Sequence, residues 1–181
     1  MLQKIILLLI LALFPLSSYG IGCEEEFPGD TDRKLNWFPS CSSKIIIHSV
    51  KPIDEYGRPE YPVHVDVPLH IRVNLTNNGP VFTEGKVTTN LWSWGGWFGC
   101  DWHTVLTFGI LSNLDACTNG IPCPIKRGNQ EIIIVMDFTK WQTIIAILGN
   151  DAAYQIEQII SAPNGDSFCI TVQARARKER W

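Results

Sequence analysis

Residues 63–75 read V-H-V-D-V-P-L-H-I-R-V-N-L, with Val63, Val65, Val67, Leu69, Ile71, Val73 and Leu75 at every odd position and His64, Asp66, Pro68, His70, Arg72 and Asn74 between them. A period of two over that length describes an extended chain with one face in a core and the other in water. Pro68 has no amide hydrogen to give to a ladder, so it marks an edge or a break into two shorter strands.

The neighbouring stretches extend the same reading. Upstream, residues 44–51 (K-I-I-I-H-S-V-K) carry enough β-branched side chains for a strand, which Pro52 stops. Downstream, Asn77, Asn78, Gly79 and Pro80 make a turn and residues 85–92 supply a further strand. Residues 103–115 are apolar and read as mostly extended, with a short helix as the alternative. In residues 131–138 (E-I-I-I-V-M-D-F), Ile132, Ile134, Met136 and Phe138 lie on one face and Ile133 and Val135 on the other. A strand apolar on both faces is expected at the centre of a sheet or under cover on both sides. Residues 141–148 (W-Q-T-I-I-A-I-L) are open between a short helix and an apolar loop. Strands at 154–160 and 168–174, joined by a turn at Pro163, Asn164 and Gly165, close the chain. Seven or so strands with Gly/Pro turns, and no βαβ alternation or internal repeat, predict an all-β, two-sheet sandwich.

The N-terminus sets the compartment. Lys4, an apolar run over residues 5–14 and the small residues Ser17, Ser18 and Gly20 predict a signal peptide over residues 1–20. The run is about half the roughly 20 residues a spanning helix needs. Cleavage leaves about 160 residues, enough for one domain with a sizeable core. Residues 21–36 read as an acidic extended leader, 37–176 as the domain and 177–181 as a basic tail. Glu24, Glu25, Glu26, Asp30 and Asp32 at the front and Arg175, Arg177, Lys178 and Arg180 at the back are expected to be solvated. The formal charge of -3, less Lys4, becomes -4, which argues against a nucleic-acid partner.

Six cysteines remain after cleavage: Cys23, Cys41, Cys100, Cys117, Cys123 and Cys169. In a secreted chain these are bridge formers, and spacing alone leaves all 15 connectivities open. The stretch C-T-N-G-I-P-C-P-I, residues 117–125, reads as a covalent clip turned by Gly120. Without paired CxxC knuckles or a His pair at ligand spacing, no metal or other cofactor is expected. His48, His64, His70 and His103 are scattered, and neither a G-x-S-x-G elbow nor an H-E-x-x-H pair is present, so the reading is not an enzyme. Asn74-Leu75-Thr76 is the only glycosylation sequon, and Asn74 falls on the polar face of its strand.

Residues 92–102, W-S-W-G-G-W-F-G-C-D-W, hold four of the seven tryptophans. Two readings are open: the rings cap the core, or they form a lipid-facing rim, since indoles favour the membrane interface.

Four stretches together resemble the ML family of secreted lipid-recognition domains, over roughly residues 36–178. They are N-W-F-P-S-C ending at Cys41, V-N-L-T at residues 73–76, C-T-N-G-I-P-C-P-I, and Y-Q-I-E-Q-I-I-S-A-P-N-G-D-S-F-C-I-T-V at residues 154–172. The clip is most similar to the Niemann-Pick type C sterol-carrier branch. The stretch L-W-S-W-G-G-W-F-G-C and the final hairpin are similar to the ganglioside-activator branch, which has eight cysteines where this chain has six.

The resemblance implies an immunoglobulin-like sandwich whose sheets splay around an apolar lipid cavity. It implies the bridges Cys41–Cys169 and Cys117–Cys123, leaving Cys23 and Cys100 to each other. It further implies a secreted or lysosomal protein that holds a glycolipid, phospholipid or sterol and presents or transfers it. Its partners would be the lipid, a membrane surface touched in passing, and a lysosomal hydrolase or lipid-accepting protein. Cavity and gate are expected from Trp92, Trp94, Trp97, Phe98, Phe108, Ile132, Ile134, Met136, Phe138, Trp141, Ile144 and Ile145. The loop of residues 92–98 and the segment 141–148 are expected to form the gate together, at one end of the sandwich. The alternative is a secreted protein-binding adaptor or adhesion module with the Trp-rich loop as its hot spot.

Overall fold

In a computed structural model, which describes residues 23–41, 43–96 and 99–178, the alternating stretch breaks at Pro68 and the break carries the chain from one sheet to the other. The expected signal peptide, Trp97, Phe98 and the last three residues lie outside the described residues. The strands are β1 (Asn36–Pro39), β2 (Ile45–Ile53), β3 (Val63–His64), β4 (Leu69–Asn77), β5 (Lys86–Trp94), β6 (Trp102–Thr104), β7 (Leu114–Asp115), β8 (Gly128–Met136), β9 (Ala152–Ser161) and β10 (Ser167–Arg177). A short helix, α1 (Gln142–Ile147), lies between β8 and β9.

The larger sheet runs β1-β10-β9-β5-β6, with β3 added along β10 and β7 along β5; the smaller runs β2-β4-β8. Neighbours are antiparallel except for the two-residue β3–β10 contact. The fold is a two-sheet, all-β sandwich. Val63 and Val65 before Pro68 join the same core as Leu69, Ile71, Val73 and Leu75 after it, while Val67 at the break is only half-buried.

Three expectations change. First, β8 is not central: it is an edge of the smaller sheet, and its outward Ile133 is 42% exposed. The clip covers part of that edge instead, because Val135 N–H donates to Gly120 O at 3.0 Å. Gly120, at φ +101, lies so close that a Cβ would fall 1.8 Å from Val135 O, so only glycine fits. Second, Pro52 lies inside β2 rather than ending it, which an edge strand tolerates. Third, Arg175 and Arg177 are not tail residues. Both belong to β10 and grip Asp151, Arg175 at 2.5 and 2.6 Å and Arg177 at 3.0 Å.

The acidic leader is likewise tied down. Cys23 bonds Cys100, Trp94 Nε1 donates to Glu25 O at 2.8 Å, and Arg175 stacks over Phe27 at 4.6 Å. Tyr61 Oη accepts from Arg175 N and donates to Thr31 O, where Thr31 is fully buried. Burial raises the Tyr61 phenol above its ordinary value. The remaining bridges are Cys41–Cys169, which ties the start of the domain to β10, and Cys117–Cys123 within the clip.

Candidate functional site

The inward positions of β10 are Phe168, Ile170, Val172, Ala174 and Ala176, all buried. Their volumes shrink steadily toward the C-terminal end of the strand. Side chains that small leave space between the sheets beside Val172, Ala174 and Ala176, and a separate cavity of about 40 Å³ lies at the other end of the strand, beside Phe168 and Phe82.

The space is a series of voids sharing walls. The one beside Ala176 is walled by Leu35, Val63, Val65, Leu69, Ile71, Leu91, Phe138, Leu148, Tyr154, Ile156, Val172, Ala174 and Ala176. Its walls are apolar throughout, and the Tyr154 hydroxyl is turned aside to donate to Gly149 O at 3.2 Å. A central void shares Ile71, Ile156 and Val172 with it and adds Val73, Ile134, Met136, Gln158 and Ile170. A third opens on the flank between β5 and the end of β8, lined by Val87, Thr89, Leu111, Leu114, Phe138, Trp141 and Gln158 among others. It shares Met136 and Gln158 with the central void.

The voids measure about 20, 20 and 30 Å³. On the same measure one water needs roughly 10–15 Å³, so each holds a water or two, and an acyl chain or ring system requires the walls to move apart. The cover best placed to move is the segment joining β8 to β9. It consists of a single 3-10 turn (Phe138–Lys140), capped by Asp137 Oδ1 accepting from Thr139 N at 3.1 Å, and the six-residue α1. A helix of that length has no stability of its own. It is pinned by Ile144, which is buried, and by Phe138 and Leu148 at the void beside Ala176.

The expected site residues divide accordingly. Ile134, Met136, Phe138 and Trp141 line the voids, while Ile132 and Ile144 sit in the closed part of the core and Ile145 packs against it half-buried. Phe108 lines none of the voids: at φ +51 it is 85% exposed on a loop. Trp92 and Trp94 line none of these voids either. They belong to β5, where Leu91 pairs with the inward Ile156 and Trp92 with the outward Gln155, so strand alternation turns both indoles away from the interior. Trp94 instead meets Trp102 edge-on, ring centroids 5.3 Å apart. The residues missed from sequence are Leu35, Leu91, Tyr154, Ile156 and the β10 alanines. The taper from Phe168 to Ala176 was the available signal.

No protein-family profile matches the chain, and no curated protein matches it. Among solved structures, one that it is similar to is a Niemann-Pick type C2 protein from the Japanese carpenter ant. The identity is 10% and the TM-score 0.43, over 78% of this chain and 99% of that one.

The voids carry little charge. Asp137 and Lys140, 4.0 Å apart, stand at the flank opening and largely cancel. The strong electrostatic feature lies outside the seam, where hydrogen bonds from Arg175 above all, and then Arg177, hold the Asp151 carboxyl well below the usual carboxylate range. Beside the flank, the loop between β6 and β7 presents Leu106 (66% exposed), Phe108 and Ile110 to solvent.

Proposed function

We propose that the protein binds a lipid between its sheets and carries or presents it, using no catalytic group. The observation that carries this reading is the pair of wholly apolar voids that share Ile71, Ile156 and Val172, under Leu35 and Leu148, and that meet a partly polar flank void beside Trp141. An ordinary sandwich core has no reason to taper its side chains toward one end, whereas a lipid site needs apolar surface that the fold does not fill itself. Admission requires the segment of residues 138–148 to lift, and its short helix and single capped turn make that inexpensive. The three bridges support an oxidising destination, outside the cell or in a lysosomal lumen.

Contact with a membrane falls to Leu106, Phe108 and Ile110 rather than to the indoles of β5. Exposed apolar side chains on one loop next to the flank opening suit a head-group region. The adaptor reading rests on the same loop used as a protein hot spot. Native mass spectrometry of the secreted protein, purified without delipidation, separates the two. A bound species that extracts as lipid supports the proposal; a bare polypeptide mass that stays bare after incubation with mixed-lipid vesicles removes it.

A further inference from the structure

Gln158 is out of character with its surroundings. On β9 it faces inward between Ile156 and Ile160, where the alternation calls for a hydrocarbon, and it is 5% exposed. The register sets it directly opposite Thr89 of β5, which also faces inward and is 8% exposed. Neither side chain makes a hydrogen bond to any described residue. The same strands satisfy their outward groups: Gln155 accepts from Gln173 at 2.8 Å, and Asn90 donates to Glu157 at 3.0 Å. A primary amide offers two donors and two acceptor lone pairs, and one left without a partner at the edge of the apolar central void is unfavourable. Its position is equally particular, because Gln158 stands where the central void meets the flank void and borders both.

We propose that Gln158, with Thr89 beside it, is the station that hydrogen-bonds the single uncharged polar group of a lipid whose hydrocarbon body lies in the apolar voids. This rests on the lipid-binding reading above and adds the class of ligand: a hydroxyl or carbonyl compound, neither an anion nor a bare hydrocarbon. A hydroxyl both donates and accepts, which an amide and a threonine hydroxyl together answer. A carboxylate would meet no cation, since no basic side chain lines the central void and Lys140 at the flank already faces Asp137.

The test compares three probes of equal chain length on the full secreted protein: a pyrene-labelled fatty alcohol, the matching pyrene-labelled alkane and the matching fatty acid. Wild type should bind the alcohol at least about fivefold more tightly than the alkane, the effect of one neutral hydrogen bond, with the acid weaker than the alcohol. Gln158→Leu should bind the alkane as wild type does and lose the preference. Thr89→Val, which keeps the side-chain shape, should lose part of it and serves if the first variant does not fold. Equal binding of alcohol and alkane by wild type, a preference that survives both substitutions, or tightest binding of the acid overturns the assignment while the lipid-binding reading stands. Binding of none of the three by wild type removes both.

Discussion

Filling the seam should block the lipid without unfolding the protein, and Val172→Phe is the sharpest way to do it. Val172 borders both the void beside Ala176 and the central void, each about 20 Å³, so a larger side chain there grows into existing space. Phenylalanine adds four carbons. At about 0.8 kcal/mol per buried carbon they are worth roughly 3 kcal/mol, against which overpacking costs about 1–3 kcal/mol. Stability should therefore stay within about 2 kcal/mol of wild type in urea unfolding, whereas uptake of a pyrene-labelled lipid should weaken at least about tenfold, or about 1.4 kcal/mol. If the variant takes up lipid as wild type does, the ligand does not lie between the sheets. If it instead loses well over 3 kcal/mol, the seam is a filled core with no capacity to yield.

Asp151→Asn should destabilise the fold by about 1 kcal/mol near neutrality, since the carboxylate is 38% exposed and solvent screens its two arginines. The folded group titrates well below its unfolded value of about 3.9, so its contribution is fully present above that pH and is lost progressively as pH falls from there toward the lower folded value. The stability gap between wild type and variant, from denaturant curves, should be flat from about pH 5 to 8 and begin to narrow below about pH 4, closing only well below it. Trp94→Ala removes the edge contact with Trp102 and the bond to Glu25 O, so it should cost about 1–3 kcal/mol in thermal unfolding yet leave lipid uptake unchanged; a specific loss of uptake would restore the indole to the gate. Replacing Leu106 and Phe108 together with Ser should reduce sedimentation with vesicles while leaving the unfolding midpoint in place, as both are solvent-exposed. Asn74 lies exposed on the central strand of the smaller sheet, its Nδ2 3.1 Å from Ser49 Oγ, so Asn74→Gln should remove one mobility step on a gel from the protein expressed through a secretory pathway; identical mobilities would mean the site is unmodified.

What the sequence determined by itself is whatever depends on local period and turn chemistry. The alternation of residues 63–75, the break at Pro68, the β-branched runs and the Gly/Pro turns dictate an all-β sandwich, because a strand shows each face at every second residue and a turn needs particular φ angles. Which strands meet was decided only in three dimensions. The double-sided apolar run of residues 131–138 reads as a central strand, yet it is an edge that the clip covers through Gly120, a non-local contact with no trace in the run itself. Aromatic density singled out Trp92 and Trp94, but only register against β9 shows which way they face, outward, since a shift of one residue exchanges the faces of a strand. The interior space was half legible, in the shrinking inward residues of β10. That Gln158 and Thr89 stand side by side and face it needed the pairing of β5 with β9, because a polar residue in a strand looks the same in sequence whether it faces water or the core.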